Sequence, residues 1–180
     1  MSEVGTKNDG DTYLVVDDEL QLRQLQPEDA AALFELVDAN REYLGRWLPW
    51  VETTKERRDS EDFIFSTLKT RQEGSTFGYG VIYRGNVVGH ISLMHITDGQ
   101  KPEIGYWISS IAAGRGLATK AARKLTQLGL DILNLPEIVI KVQPSNGGSN
   151  KVAEKLGYTL LDTLYDDHYG HIVNVWSIRQ

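Results

Sequence analysis

The chain has 180 residues, 41% hydrophobic and 24% charged, values ordinary for one globular domain. It contains no cysteine, which excludes disulfides, thiolate metal sites and a cysteine nucleophile. A net charge of −6 argues against a broad nucleic-acid surface, and no apolar run approaches the about 18 residues of a membrane span. That charge suits a cationic acceptor such as an amine or a basic protein tail, and it equally serves solubility alone.

Residues 1–12 are polar and offer little to bury, so they are expected to form a loose tail before a single domain over 13–180. They also lack the apolar core of a signal peptide, which points to a cytoplasmic protein. Leu14–Leu25 holds one or two short strands. Pro27 opens a helix with Glu28 and Asp29 in its first turn and Ala30, Leu33, Phe34 and Val37 facing inward. Arg41–Val51 crowds Tyr43, Leu44, Trp47, Leu48 and Trp50 into a short span, either a core-anchored turn or the wall of a cleft. A further helix, capped by Asp59 or Ser60, carries Phe63, Ile64 and Leu68 and ends at Gly74. Thr76–Arg84 and Val87–Thr97 form a hairpin through Gly85-Asn86.

Glu103–Ser109 alternates as a strand, and Ala118, Ala121, Ala122, Leu125, Leu128 and Ile132 recur at helical spacing. Between them lies Ala113-Gly114-Arg115-Gly116-Leu117-Ala118. Glycines permit a sharp bend there, and a helix starting at the bend points unpaired N–H groups and its positive dipole end outward. The segment is therefore either a tight turn or a site for a phosphate. A P-loop is excluded because Leu117 follows Gly116 where Lys is needed, and the dinucleotide fingerprint lacks its third glycine. Glu137–Val142 is a β-branched strand. Asn146 begins a helix with Val152, Ala153 and Leu156 inward, stopped by Gly157. Tyr158–Leu164 and Ile172–Ile178 pair as closing strands, and Asp166–His171 between them reads as a polar turn rather than a metal site; no metal is expected. The element order implies a mixed, mostly antiparallel α/β sheet with helices on both faces.

Three ordered blocks carry a family resemblance across about residues 20–178. Gly116 and Ala118 match the coenzyme A pyrophosphate loop of the GNAT acetyltransferases, Gln/Arg-x-x-Gly-x-Gly/Ala, while Ala113 departs at its first position. Asn146–Tyr158 is similar to the Asn-x-x-Ser…Leu-Gly-Phe/Tyr block of the branch that acetylates serine and alanine N-termini of ribosomal proteins. Asp38–Val51 resembles the same branch. The resemblance implies a twisted sheet whose strands ending near Ser109 and near Val142 splay apart to admit the pantetheine arm of acetyl-CoA. It implies cofactor contacts from Trp107, Ile108, Ser109, Gly114, Arg115, Gly116, Leu117, Ala118, Thr119, Asn146 and Ser149, and substrate contacts from Trp47, Trp50, Tyr79 and Tyr83.

In the resembled family, acetyl passes directly from acetyl-CoA to an amine, with no covalent enzyme intermediate and no metal. Three tasks follow: deprotonating the amine, stabilising an oxyanion and protonating the thiolate. Glu103, at the head of the central strand, is the candidate base; it competes with a plain strand-end carboxylate, and His90 and Glu52 are poorer choices. A backbone N–H near Trp107–Ser109, where the family strand bulges, would hold the oxyanion. Ser149 would be the general acid and Asn146 a pantetheine partner, although both residues also suit a helix cap. Tyr158 and Tyr165 are fallback acids. The reading is an acetyl-CoA-dependent N-acetyltransferase acting on a protein N-terminus. Small amines such as polyamines or antibiotics, and a CoA-binding module without catalysis, are the alternatives; a homodimer is compatible with each.

Overall fold

The computed structural model describes residues 4–6 and 12–180. The strands are β1 (Val4–Thr6), β2 (Thr12–Val15), β3 (Leu20–Arg23), β4 (Phe77–Tyr83), β5 (Asn86–Met94), β6 (Glu103–Ile108), β7 (Glu137–Val142), β8 (Thr159–Asp166) and β9 (His171–Arg179). The helices are α1 (Ala30–Asp38), α2 (Arg41–Gly45), α3 (Arg57–Gln72), α4 (Leu117–Gln127) and α5 (Gly147–Lys155). The strands form one sheet in the order β1-β2-β3-β4-β5-β6-β7-β9-β8. Every pairing is antiparallel except β6 with β7. The mixed sheet inferred from the element order is thus the fold.

The alternation of apolar residues decides which face each helix covers. Leu22, Val81, Ile91, Leu93, Ile104, Ile138 and Ile140 form one face of the sheet. Leu117, Ala121, Ala122 and Leu125 of α4 and Ala153 of α5 close it. On the opposite face Ala30 and Leu33 of α1 meet Ile64 of α3 over Leu25. His90 lies on that second face, 5% exposed, with its ring edge-on to Phe63 at 5.0 Å. Burial without a charged partner holds its pKa down at about 4, so the imidazole is neutral at pH 7.

Several local expectations shift. Val4–Thr6 of the expected tail pair with Thr12–Leu14; residues 1–3 and 7–11 of that tail lie outside the described residues. The hairpin turns at Arg84-Gly85, one residue early, with φ of 49° and 81°, the positive values a two-residue turn needs. Helix α3 begins two residues before Asp59. Its cap is Glu56, and Asp59 accepts from the Glu56 N–H at 2.9 Å and from the Lys55 N–H at 2.7 Å in a capping box. Phe63 is consequently half out of the core, while Ile64 is buried.

Gly89 of β5 lies opposite Ile108. A Cβ there would fall on the carbonyl oxygen of Trp107 and sit 3.0 Å from the Ile108 Cα, so only glycine lets β5 and β6 approach. Gly89→Ala is expected to lower stability by about 1–3 kcal/mol, measured by urea unfolding; an unchanged midpoint would show that the strands yield freely. His90 predicts a pH effect. Its folded pKa is depressed, so between about pH 6.5 and 4 the unfolded chain binds a proton that the folded chain refuses. The stability it contributes above pH 6.5 is lost as pH falls to about 4, by about 3 kcal/mol. His90→Gln should flatten that part of the stability–pH curve, and an identical slope in both proteins would disprove the assignment.

Candidate functional site

Strands β6 and β7 share one registered pair, Glu103 with Val139, supported by the Val139 N–H donating to the Pro102 carbonyl at 2.8 Å. Beyond it each strand follows its other neighbour: β6 stays on β5 as far as Ile108, and β7 stays on β9 along its whole length. The two strands therefore part. The Ser109 N–H donates to the Val88 carbonyl at 2.8 Å. Amides alternate along a strand, so the N–H groups of Trp107 and Gly105 also face β5, while those of Tyr106 and Ile108 face the gap. The register of β5 on β6 is constant, so the bulge expected near Trp107–Ser109 is absent; a shift occurs instead between Val81 and Ile82.

A 3-10 turn, Ser110–Ala112, carries the chain from β6 to the glycine bend. Gly114 and Gly116 have φ of 74° and 73°, which other residues adopt only under strain, and open space lies where a side chain would project. Gly116 is the N-cap of α4, and no side chain caps the helix. The first helical bond runs from the Lys120 N–H to the Gly116 carbonyl at 3.0 Å. The amides of Leu117, Ala118 and Thr119 are therefore without a partner in the helix and point outward at its positive end.

The splay and the bend open into one cleft of about 380 Å³. Three groups of segments line it: Tyr43, Leu44, Trp47 and Leu48 at α2; Tyr106, Trp107 and Ile108 of β6; and Gly114 and Gly116–Thr119 with Asn146, Ser149 and Val152 at the starts of α4 and α5. Lys151 and Lys155 are the charged residues among the described lining, which includes no carboxylate. The acidity of the chain thus stops at the cleft, whose two lysines and exposed helical amides favour an anion. An open glycine bend, unpaired amides and a sheet gap leading from them fit the diphosphate and the extended arm of coenzyme A.

The start of α5 is fixed from several sides. Asn146 Oδ1 accepts from the Ser149 N–H at 3.2 Å, so its oxygen serves as a cap. Tyr106 donates its hydroxyl to the Ser149 carbonyl at 3.4 Å, and burial pushes its pKa up. Asn150 Nδ2 donates to the Gln143 and Asn146 carbonyls at 3.1 and 2.8 Å. Asn150 Oδ1 accepts from Asn174 Nδ2 and Trp176 Nε1, both at 2.9 Å. This staple onto β9 keeps Ser149 at the cleft. Sequence reasoning missed Asn150 and Tyr106. The first was visible only as the residue after the Asn-x-x-Ser block, the second only as one more member of a strand alternation.

Of the expected site residues, Trp47, Trp107, Ile108, Gly114, Gly116, Leu117, Ala118, Thr119, Asn146 and Ser149 line the cleft. The others lie outside that lining. Tyr79 is 1% exposed in the core, beneath α4, because β4 lies two strands from the gap. Tyr83 stands at the far end of β4, its hydroxyl 3.5 Å from Glu19. Trp50 is exposed outside the lining, its ring 5.9 Å from that of Trp107. Ser109 is fully buried and its N–H is taken by Val88; Arg115 is exposed outside the lining. Glu103 is buried at the closed end of the splay. Its carboxylate accepts from the Tyr169 hydroxyl at 2.6 Å and pairs with Lys141 at 3.3 Å, and Lys141 also holds Asp166 at 2.9 Å. Trp107 lies four positions, about 13 Å, further along the strand. Buried His90 is likewise outside the cleft. Tyr158 is buried against Thr126 Oγ1 at 2.8 Å with its pKa pushed up to about 12, and Tyr165 lies exposed on β8. Neither reaches the cleft.

Residues 19–159 match the family described as acetyltransferase (GNAT) domain. The chain is 33% identical over 146 residues to YdaF of Bacillus subtilis, named as a candidate ribosomal N-acetyltransferase, covering 79% of each chain. It is 25% identical over 162 residues to the ribosomal-protein-serine acetyltransferase of Escherichia coli, covering 84% of this chain and 90% of that one. Its fold superposes on RimL, a ribosomal alpha-N-protein acetyltransferase solved with coenzyme A, with a TM-score of 0.85 at 23% identity over 92% of this chain and 96% of that one. The chain belongs to the GNAT acetyltransferase family and is an acetyl-CoA-dependent N-acetyltransferase.

Proposed function

We propose that the acceptor is the N-terminal α-amine of a protein, with ribosomal proteins the first class to examine. The observation that carries this reading is the absence of a carboxylate among the described residues lining the cleft. A protein α-amine has a pKa near 7.7–8.0, so about a tenth of it is neutral at pH 7 without help. A lysine side chain near 10.4 lies more than three units away and would need a strong base close by. A polyamine would in addition want acidic partners for its remaining charges. Aromatic and leucine side chains at the acceptor end suit the backbone and small side chain of a chain terminus. The names of the two curated relatives point the same way. Such a substrate would place the enzyme in the cytoplasm.

Bound acetyl-CoA supplies the activated acetyl thioester. The amides of Leu117–Thr119 hold its diphosphate, with Lys151 and Lys155 adding positive charge nearby. The N–H of Ile108, turned into the gap, is placed to donate to the acetyl oxygen as negative charge develops there. With Asn146 Oδ1 engaged in capping, its Nδ2 is the group left to donate to the arm. Ser149 would give its hydroxyl proton to the sulfur as the amine nitrogen bonds the acetyl carbon and the C–S bond breaks, and would regain a proton through water. The proton of the incoming amine leaves through water at the open end rather than to Glu103, whose carboxylate is buried and engaged.

Turnover with peptides bearing free N-terminal serine or alanine should exceed that with Nα-blocked lysine peptides and polyamines by about 10² at pH 7, and kcat/KM should rise with pH, half-maximal near about 8 and level above about 9. Preference for polyamine would remove the assignment. Ser149→Ala is expected to lower kcat about 10²-fold while CoA affinity holds; an unchanged kcat excludes Ser149 as the acid. Gly116→Glu should weaken CoA binding at least tenfold in calorimetry, since it sets a negative side chain and a strained backbone at the diphosphate site. Undiminished affinity would move that site elsewhere.

A further inference from the structure

The junction of α1 and α2 carries a side chain that none of the three chemical tasks uses. Asn40 is 6% exposed. Its Nδ2 donates to the Leu36 carbonyl at 2.7 Å, closing the last turn of α1. Its Oδ1 accepts twice from Ser110, from the N–H at 2.9 Å and from the hydroxyl at 2.7 Å. Both lone pairs of the oxygen and one amide proton are thus engaged.

The two partners lie 70 positions apart and lead into two different segments of the cleft lining. From Asn40 the chain passes directly into α2 and the Tyr43–Leu48 wall. From Ser110 it passes through Ala112 to the Gly114–Gly116 bend and the free amides of α4. The wall itself is tied together by Arg41, whose guanidinium donates to the Val51 carbonyl at 2.9 Å, the Thr54 carbonyl at 2.5 Å and Asp38 at 2.6 Å. Its far end rests on Trp107 through Trp50. A wall braced in this way can move as one piece, and the Asn40–Ser110 contact joins its root to the root of the phosphate bend.

We infer that Asn40 is a positioning residue for both substrates: it fixes the separation between the acceptor wall and the donor bend without touching amine or thioester. This rests on the reading that CoA occupies the bend and the amine the wall. A side chain that only capped α1 would affect stability alone. One that sets the cleft width affects binding of both substrates, including CoA by itself.

The test is calorimetry of CoA with the purified protein, in the absence of amine, alongside steady-state kinetics, both well below the melting temperature. Asn40→Ala is expected to raise the CoA Kd and the KM of both substrates about tenfold, with kcat within about threefold. Asn40→Asp keeps the oxygen that Ser110 needs but turns a second acceptor on the Leu36 carbonyl, so it should lower Tm while returning Kd to within about twofold of wild type. Ser110→Ala, which loses one of the two bonds, should fall between, and it carries the test if Asn40→Ala does not fold. A lowered Tm with unchanged Kd and KM in Asn40→Ala, or in Ser110→Ala where that variant stands in, would overturn the inference. Failure of Asn40→Asp to rescue would overturn it too, by assigning the effect to the end of α1. Wild-type protein that binds no CoA would remove the underlying reading, and this inference with it.

Discussion

The function of this chain depends on a place where a sheet stops pairing. Backbone groups in a sheet interior are almost always satisfied by the next strand. Here β6 and β7 meet once, at Glu103 and Val139, and then leave each other for β5 and β9. The amides of Tyr106 and Ile108 are left facing a gap between two strands held firmly from outside. A ligand that offers acceptors along an extended chain completes the sheet, and a pantetheine arm is such a ligand. Gly89 permits the tight β5–β6 contact that keeps the floor of the gap in place.

Electrostatics then sort the two substrates. The chain is acidic overall, yet Lys151, Lys155 and the start of α4 make the donor end of the cleft anion-seeking. Glu103, at the closed end of the splay, is tied up by Lys141 and Tyr169, and Lys141 also holds Asp166. That arrangement reads as a brace across β6, β7 and the last hairpin. It leaves the acceptor end aromatic and nearly uncharged, an environment for an amine that already titrates near neutral pH.

What the sequence made legible was local. The glycine bend, the Asn146 cap, the Gly157 stop and the alternation of β6 and β7 each depend on a few neighbouring residues, and each appears within a residue or two of its expected place. Contacts set by the sheet order were not legible. Tyr79 and Tyr83 share a strand pattern with site residues, but β4 lies two strands from the gap. Glu103 occupies the head of the right strand at the wrong end of the splay. Asn40 and Asn150 carried no signal of their own, because their partners, Ser110 for one and Asn174 and Trp176 for the other, lie 24 to 70 positions away. The turn chemistry misled by one residue at Arg84-Gly85 because arginine rarely adopts a positive φ.

The most direct test of the splayed sheet as the cofactor site is an amide chemical-shift titration of the labelled protein with coenzyme A. The geometry predicts that the N–H signals of Leu117, Ala118, Thr119 and Ile108 move together at saturating cofactor, while Ser109, bonded to Val88, and the outer strand β8 stay near their starting positions. Shifts confined to β8 or to the Asp17–Glu19 loop, with the α4 amides unmoved, would contradict it.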